Sequence, residues 1–331
     1  MIRIIFSSLL IFACWSCNNK KENSPFAGLL SSPPYTSVTD SIRKFPGDAG
    51  LYFRRAVLLN SNDQPVPALA DFRHAWILEK NEKYAIGIST LLLDKHPDSA
   101  RVFIQEALQV LPESFLLRLG LTRALDLENK TDESIKVCDE ILAKQPDQVD
   151  ILKLKSSLLL KKNQPLESLH ALEKAYGLTP YDLELNNMLA LQLAEAKNPR
   201  VLLLCDSLIK KDSLGMLPEP YYYKGIYYSN IKNAAAALAQ FNEAIRIDYY
   251  YLDAYIEKGA VYYEQKKYAE ALKVFQLANT ISPAFPDAWY WVAKTQEAMG
   301  QKEDALLNYQ KALALNKQFT EAQAGIDRLK K

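Results

Sequence analysis

Apolar and polar positions between residues 218 and 319 recur with a fixed period. Tyr221, Gly225, Tyr228, Ala237, Phe241 and Ala244 are followed one period later by Tyr255, Gly259, Tyr262, Ala271, Phe275 and Ala278. After the same step again stand Trp289, Ala293, Gln296, Ala305, Tyr309 and Ala312. Within one unit the marked offsets 4, 8 and 11 fall every three to four residues, which is one face of a helix, and 20, 24 and 27 do the same for a second helix. Large residues at 4, 11 and 24 alternate with Gly or Ala at 8, 20 and 27, and small residues let two helix axes approach to about 8–10 Å. Polar segments such as Gln265-Lys266-Lys267 separate the two helices. Each unit is predicted to be a helical hairpin.

The order aromatic, small, aromatic, Ala, aromatic, Ala, with Pro283 at the late position, resembles the tetratricopeptide repeat. Tyr249 and Lys317 take the place of that proline in the neighbouring units. Upstream, Pro46, Pro112, Pro146 and Pro180 punctuate the chain, the last three separated by the same period; proline ends a helix because it lacks a donor and clashes with the preceding turn. They divide it into units 49–80, 81–114, 115–148, 149–182, 183–217, 218–251, 252–285 and 286–319. Tyr52, Ala56, Leu59, Ala68, Phe72 and Ala75 are in phase in the first, and Leu152, Ser156, Leu159, Ser168, Leu172 and Ala175 in the fourth. Two units depart from the pattern. Arg118 occupies the first aromatic slot of 115–148, so Leu117 is expected to fill it. Unit 183–217 lacks the aromatics, and its exit loop, Lys210 to Pro218, is where a break in the array is expected. The resemblance implies an all-α, right-handed superhelical solenoid of about eight hairpins, capped by helices at 37–48 and 320–331.

Composition agrees with helices: among 331 residues 49% are apolar and only 11 are glycine, the residue that gives up most freedom in a helix. The formal charge is +1, with no long run of one sign to concentrate phosphate, so nucleic-acid binding is not expected. The first residues stand apart. A short basic start, Met1-Ile2-Arg3, precedes an apolar run from Ile4 to Trp15. That run is too short to span a bilayer as a helix and fits a signal peptide at 1–16. Ser16-Cys17, or alternatively Ala13-Cys14, resembles the lipobox of bacterial lipoproteins. The resemblance implies cleavage before the cysteine, acylation of Cys17 (alternatively Cys14), and attachment in the bacterial cell envelope, at the outer membrane facing the periplasm or the surface. Residues 17–36, with Pro25, Pro33, Pro34 and several serines, are expected to be a flexible tether.

Catalytic chemistry finds little footing. His74, His96 and His170 have no second histidine or cysteine at ligand spacing, so no metal is expected. No phosphate loop, dinucleotide fingerprint or nucleophile elbow is present, and no cofactor or enzymatic activity is expected. Cys138 and Cys205 sit near position 24 of units two apart, too distant to be bridged, and are expected to be buried free thiols.

The resemblance implies instead that the first helix of each hairpin lines an open inner wall, with positions 2, 5, 6, 9, 12 and 13 facing inward. Those positions bring forward Tyr222, Tyr223, Tyr263, Tyr290 and Trp291. Fourteen of the nineteen tyrosines lie in units 218–319. Tyrosine and tryptophan supply large, stiff contact area with a polar edge, and packing against the adjacent unit explains the same five residues equally well. Neighbouring acids favour a basic or neutral peptide. The Lys/Asn clamp by which some of these repeats hold a terminal carboxylate is absent: Lys153, Ser157, Met188, Glu219 and Tyr223 stand nearest its places. The expected function is a lipid-anchored scaffold for a protein or peptide partner. A glycan- or nutrient-binding envelope lipoprotein is the alternative, disfavoured because the regular repeat spacing leaves no room for the insertions that build a sugar site.

Overall fold

The computed structural model describes residues 25–330. All its regular structure is helical: nineteen helices and no strand among the described residues. They fall into two compact units divided between Glu128 and Asn129. The first holds α1 (Ala27–Leu30), α2 (Thr36–Lys44), α3 (Ala49–Ser61), α4 (Pro65–Leu78), α5 (Glu82–Leu93), α6 (Pro97–Val110) and α7 (Phe115–Leu127). The second holds α8 (Thr131–Lys144), α9 (Val149–Lys161), α10 (Pro165–Leu178), α11 (Leu183–Glu195), α12 (Arg200–Lys211), α13 (Glu219–Asn230) and α14 (Ala234–Ile247). It continues through α15 (Leu252–Glu264), α16 (Tyr268–Ile281), α17 (Pro286–Ala298), α18 (Lys302–Leu315) and α19 (Thr320–Leu329). Within each unit successive helices pack as antiparallel pairs, each pair against the next.

Local chemistry sets the helix ends. Proline opens α4, α6, α10 and α17, where its missing donor costs no hydrogen bond. The Asp48 carboxylate accepts the N–H groups of Gly50 and Leu51, Ser114 Oγ that of Leu117, and Asp182 that of Leu185, satisfying donors that a helix start leaves orphaned. Inside most hairpins the turn closes on one residue with positive φ: Asp63, Asn163, Lys197, Lys232, Lys266 and Gly300. The following N–H then returns to the carbonyl five residues back, as Lys267 does to Tyr262 at 3.0 Å and Gln301 to Gln296 at 2.9 Å. This is the left-handed helix-end closure that redirects the chain into the second helix.

The core repeats the sequence period. Ala237, Phe241 and Ala244 of α14 are fully buried, as are Ala271, Phe275 and Ala278 of α16 and Ala305, Tyr309 and Ala312 of α18. Leu117 is fully buried, while Arg118 turns its guanidinium to the carbonyl of Pro112. α19 closes the second unit by placing Ala322, Gly325 and Ile326 against Tyr309 and its neighbours.

Two expectations are corrected. The described part of the 17–36 segment is folded: α1 forms, Ser31 and Ser32 hydroxyls bond back to its carbonyls, and Leu30 and Tyr35 are buried. Burying two such side chains is worth about 1.5–3 kcal/mol each, enough to order a short Pro/Ser-rich stretch that composition alone reads as loose. The exit loop after α12 does not interrupt the second unit. One continuous core runs from Leu152 through Leu189, Cys205 and Tyr223 to Val261, and the Asp212 carboxylate pins the loop by accepting the Leu217 N–H at 2.8 Å.

Candidate functional site

The five aromatics singled out from the sequence lie on α13, α15 and α17, the first helices of the last three hairpins. Tyr222 and Tyr223 meet edge-on at 5.6 Å. Tyr263, Tyr290 and Trp291 form a second group, with Trp291 5.7 Å from Tyr263 and 5.8 Å from Tyr290. None of the five stands free: Tyr222 leans on Phe241, Tyr290 on Tyr309, and Trp291 stacks on Phe275 at 5.3 Å and 17°. Four are half-buried and Tyr223 is buried. Four of them thus pack on a neighbouring ring while keeping part of their surface in solvent.

Sequence reasoning missed the neighbours that complete both groups. Tyr251, which precedes α15, meets Tyr222 edge-on at 5.3 Å, and Phe319, which precedes α19, lies 5.0 Å from Tyr290. Both belong to turns between hairpins, where position in the repeat says nothing about facing. Lys294 sits over Trp291 at 4.4 Å, with Tyr263 and Tyr290 each 5.6 Å away. It is a cation already housed among aromatic faces.

The electrostatics are uneven along this surface. Near the C-terminal ends of α17 and α19 the charges are matched. Arg328 donates twice to Glu297, at 3.1 and 2.9 Å, and the Tyr309 hydroxyl donates to it at 2.6 Å. The Arg328 hydrogen bond is the main reason the Glu297 carboxyl is held below its ordinary range. Toward the N-terminal parts of α13, α15 and α17 they are not. Glu219, Asp253, Glu257 and Asp287 form no ion pair among the described residues. Burial first, and then the charges of Asp253 and Glu264, push Glu257 up to about 7. Asp287 is raised by burial and by Asp253 and Glu321. Burial, then Glu257 and Asp253, raises Tyr222; burial, then Glu219, pushes Tyr223 up to about 12.

Elsewhere the polar groups are structural. His74, His96 and His170 are exposed, and among the described residues no group of three or more His, Cys, Asp or Glu could hold a metal ion. Cys138 and Cys205 are fully buried, and burial pushes the Cys205 thiol up to about 12, where it is an inert thiol. Cys14 and Cys17 lie outside the described residues. Among the described residues no helix is long and apolar enough to cross a membrane.

Models of the tetratricopeptide repeat match residues 91–158, 259–300 and 286–319. The chain carries tetratricopeptide repeats. A crystal structure of a tetratricopeptide repeat protein from Parabacteroides merdae superposes with a TM-score of 0.63 at 17% identity, over 75% of this chain and 98% of that one. At that identity the likeness speaks for the fold alone. Tetratricopeptide repeat protein 14 of Mus musculus is 27% identical over 114 residues, 32% of this chain and 15% of its own length. Superkiller complex protein 3 of Mus musculus is 24% identical over 138 residues, 42% of this chain and 9% of its own length. The matches therefore cover only a small part of either curated relative.

Proposed function

We propose that the chain is a non-enzymatic scaffold of a bacterial cell envelope. Its tetratricopeptide hairpins from 218 to 319 hold a segment of a partner protein, and acylated Cys17, or alternatively Cys14, tethers it to a membrane. One observation carries the binding reading: Tyr222, Tyr263, Tyr290 and Trp291 remain half-exposed, with Tyr222 beside Asp253 and Glu257 and Tyr290 beside Glu321, carboxylates that have no cation of their own among the described residues. A wall serving only to pack would bury those rings fully and pair those charges, since an unmatched carboxylate out of water is costly. Rigid aromatic area next to unmatched polar groups is the composition of a binding hot spot.

Photocrosslinking tests the wall. A benzophenone side chain at Tyr263 is expected to capture a partner protein in the native envelope, whereas the same probe at Leu307, exposed on α18, is not. Equal capture at both positions sinks the reading. The anchor is tested separately: Cys17→Ser should move the protein from the membrane to the soluble fraction. If Cys14→Ser alone does so, Cys14 is the acceptor; if neither does, no lipid holds the chain there.

A further inference from the structure

The acids of the second unit include an ordered set. Glu219, Asp253, Asp287 and Glu321 each occupy the second position of a repeat unit or its equivalent, in the first turns of α13, α15, α17 and α19. Each is one repeat period from the next, so stacking sets them in a row with one rung per repeat. Neighbouring rungs feel one another: Asp287 is raised partly by Asp253 on one side and Glu321 on the other. A single first-turn acid is explained by the helix macrodipole. That explanation stops short of Glu257, one turn further into α15 and largely withdrawn from water.

Two further features single the row out. The Tyr223 side chain is more than nine-tenths buried, lies in the field of Glu219 and Asp253, and makes no hydrogen bond among the described residues. One carboxylate oxygen of Glu219, Oε2, is buried without a partner among those residues. Other acids of the same unit have found cations: Glu184 with Lys153, Glu264 with Lys232, Glu297 with Arg328. A buried, unpartnered carboxylate oxygen in a row whose Asp253 and Glu321 are open to solvent matches a ligand that brings donors and positive charge, which an ammonium or guanidinium supplies without any acceptor.

We propose that this row takes an extended partner segment carrying Lys or Arg at every third residue, each cation seated between successive rungs and its aliphatic stem lying on Tyr222 and its ring neighbours. The spacing follows from two geometries. Packed helices stand about 8–10 Å apart, and a polyproline-type strand repeats its facing every three residues with a rise of about 3.1 Å each, or roughly 9 Å. The inference rests on the binding face proposed above and adds to it the charge and the register of the occupant.

The test uses the whole chain, purified in mild non-ionic detergent, and labelled decapeptides read by fluorescence anisotropy. A peptide with lysine at positions 1, 4, 7 and 10 should bind, and one of the same composition with its four lysines in succession should bind about tenfold more weakly, a difference of ~1.4 kcal/mol. Glu219→Gln, Asp253→Asn and Asp287→Asn together should weaken the first peptide by about a hundredfold while leaving the circular-dichroism melting curve no lower. Equal binding of the two peptides, unchanged affinity of the triple variant, or displacement by spermidine at equal potency would each overturn the proposal. If a peptide with glutamate at the same four positions binds instead, and Tyr263→Ala weakens it, the face binds peptides but not this class. If the Tyr263 crosslinker captures nothing, the binding face itself is refuted.

Discussion

A Cβ added to Gly259 would lie 2.3 Å from Cε1 of Phe275, on the facing helix of the same hairpin. The same contact recurs between Gly225 and Phe241 at 2.4 Å, and Gly87 of α5 makes a like one with Phe72 of α4, in the preceding hairpin, at 2.7 Å. The ring edge occupies the space a methyl group would need, and this lets α15 and α16 close on each other.

Gly259→Ala should therefore destabilise the protein although alanine is the better helix former. Overpacking costs about 1–3 kcal/mol, against a propensity gain of about 1 kcal/mol. Gly177→Ala, in α10 with nothing within 4 Å of the added carbon, should leave stability unchanged or raise it. Urea unfolding of the two variants decides, and a stabilised Gly259→Ala would show that Phe275 has room to withdraw.

The hairpin turns carry a different glycine logic. Lys232 and Lys266 hold φ of 63° and 59°, where Gly300 in the next hairpin holds 81°. Left-handed backbone burdens any residue with a Cβ by roughly 1–2 kcal/mol. Lys266→Gly should thus stabilise, partly offset by the added freedom of glycine in the unfolded chain. Gly300→Ala should destabilise by about 1 kcal/mol or more. Thermal melting of both variants checks the pair; a Lys266→Gly variant that melts lower would mean the lysine side chain contributes more than its backbone strain removes.

Arg55 and Asp71 make a buried ion pair in the first unit, joined by hydrogen bonds of 2.6 and 2.8 Å with Thr39 accepting a third at 3.2 Å. Asp71→Ala would strand a guanidinium that is 3% exposed. Removing one partner of such a pair costs about 3–5 kcal/mol. Replacing both Arg55 and Asp71 with apolar residues of similar volume should recover most of that loss. Equal losses in the single and double variants, measured by denaturant titration, would assign the effect to packing and not to charge.

Those residues also mark where sequence reading ends. The periodic recurrence of Gly259, Phe275 and their equivalents specified hairpins because small and large residues alternate on two helical faces, a signal that survives in one sequence. Arg55 and Asp71 lie on separate helices, and nothing local marks an ordinary charged pair as buried. Ser156 and Ser168 showed as small residues in phase, but not the Gln192 amide that donates to both hydroxyls, at 3.0 and 2.8 Å, from the next hairpin. At the candidate site the place of Tyr222 and Trp291 on the first helices of their hairpins was legible from the repeat. Tyr251 and Phe319, on the turns between hairpins, had no such place, and α1 was hidden within a Pro/Ser-rich composition.

Glu257 gives the candidate site a pH signature. Its carboxyl is raised to about 7, first by burial and then by Asp253 and Glu264, while in the unfolded chain it titrates near its usual 4.5. Between those two values the folded protein keeps a proton that the unfolded chain has lost. The group's contribution to stability therefore falls as pH rises from about 4.5 to about 7 and levels off above that. Each unit of difference corresponds to about 1.4 kcal/mol, and water reaching a partly exposed carboxylate reduces the whole effect to ~1–2 kcal/mol. Glu257→Gln should unfold at higher urea concentration than the parent at pH 8, while at pH 4.5 the two should coincide. A basic peptide on the row should weaken this penalty by favouring the charged carboxylate, so the gap between variant and parent at pH 8 should narrow when the peptide with lysine at every third residue is present. A gap that is the same at both pH values would mean that Glu257 is solvated like any surface acid and that the wall around it is open to water.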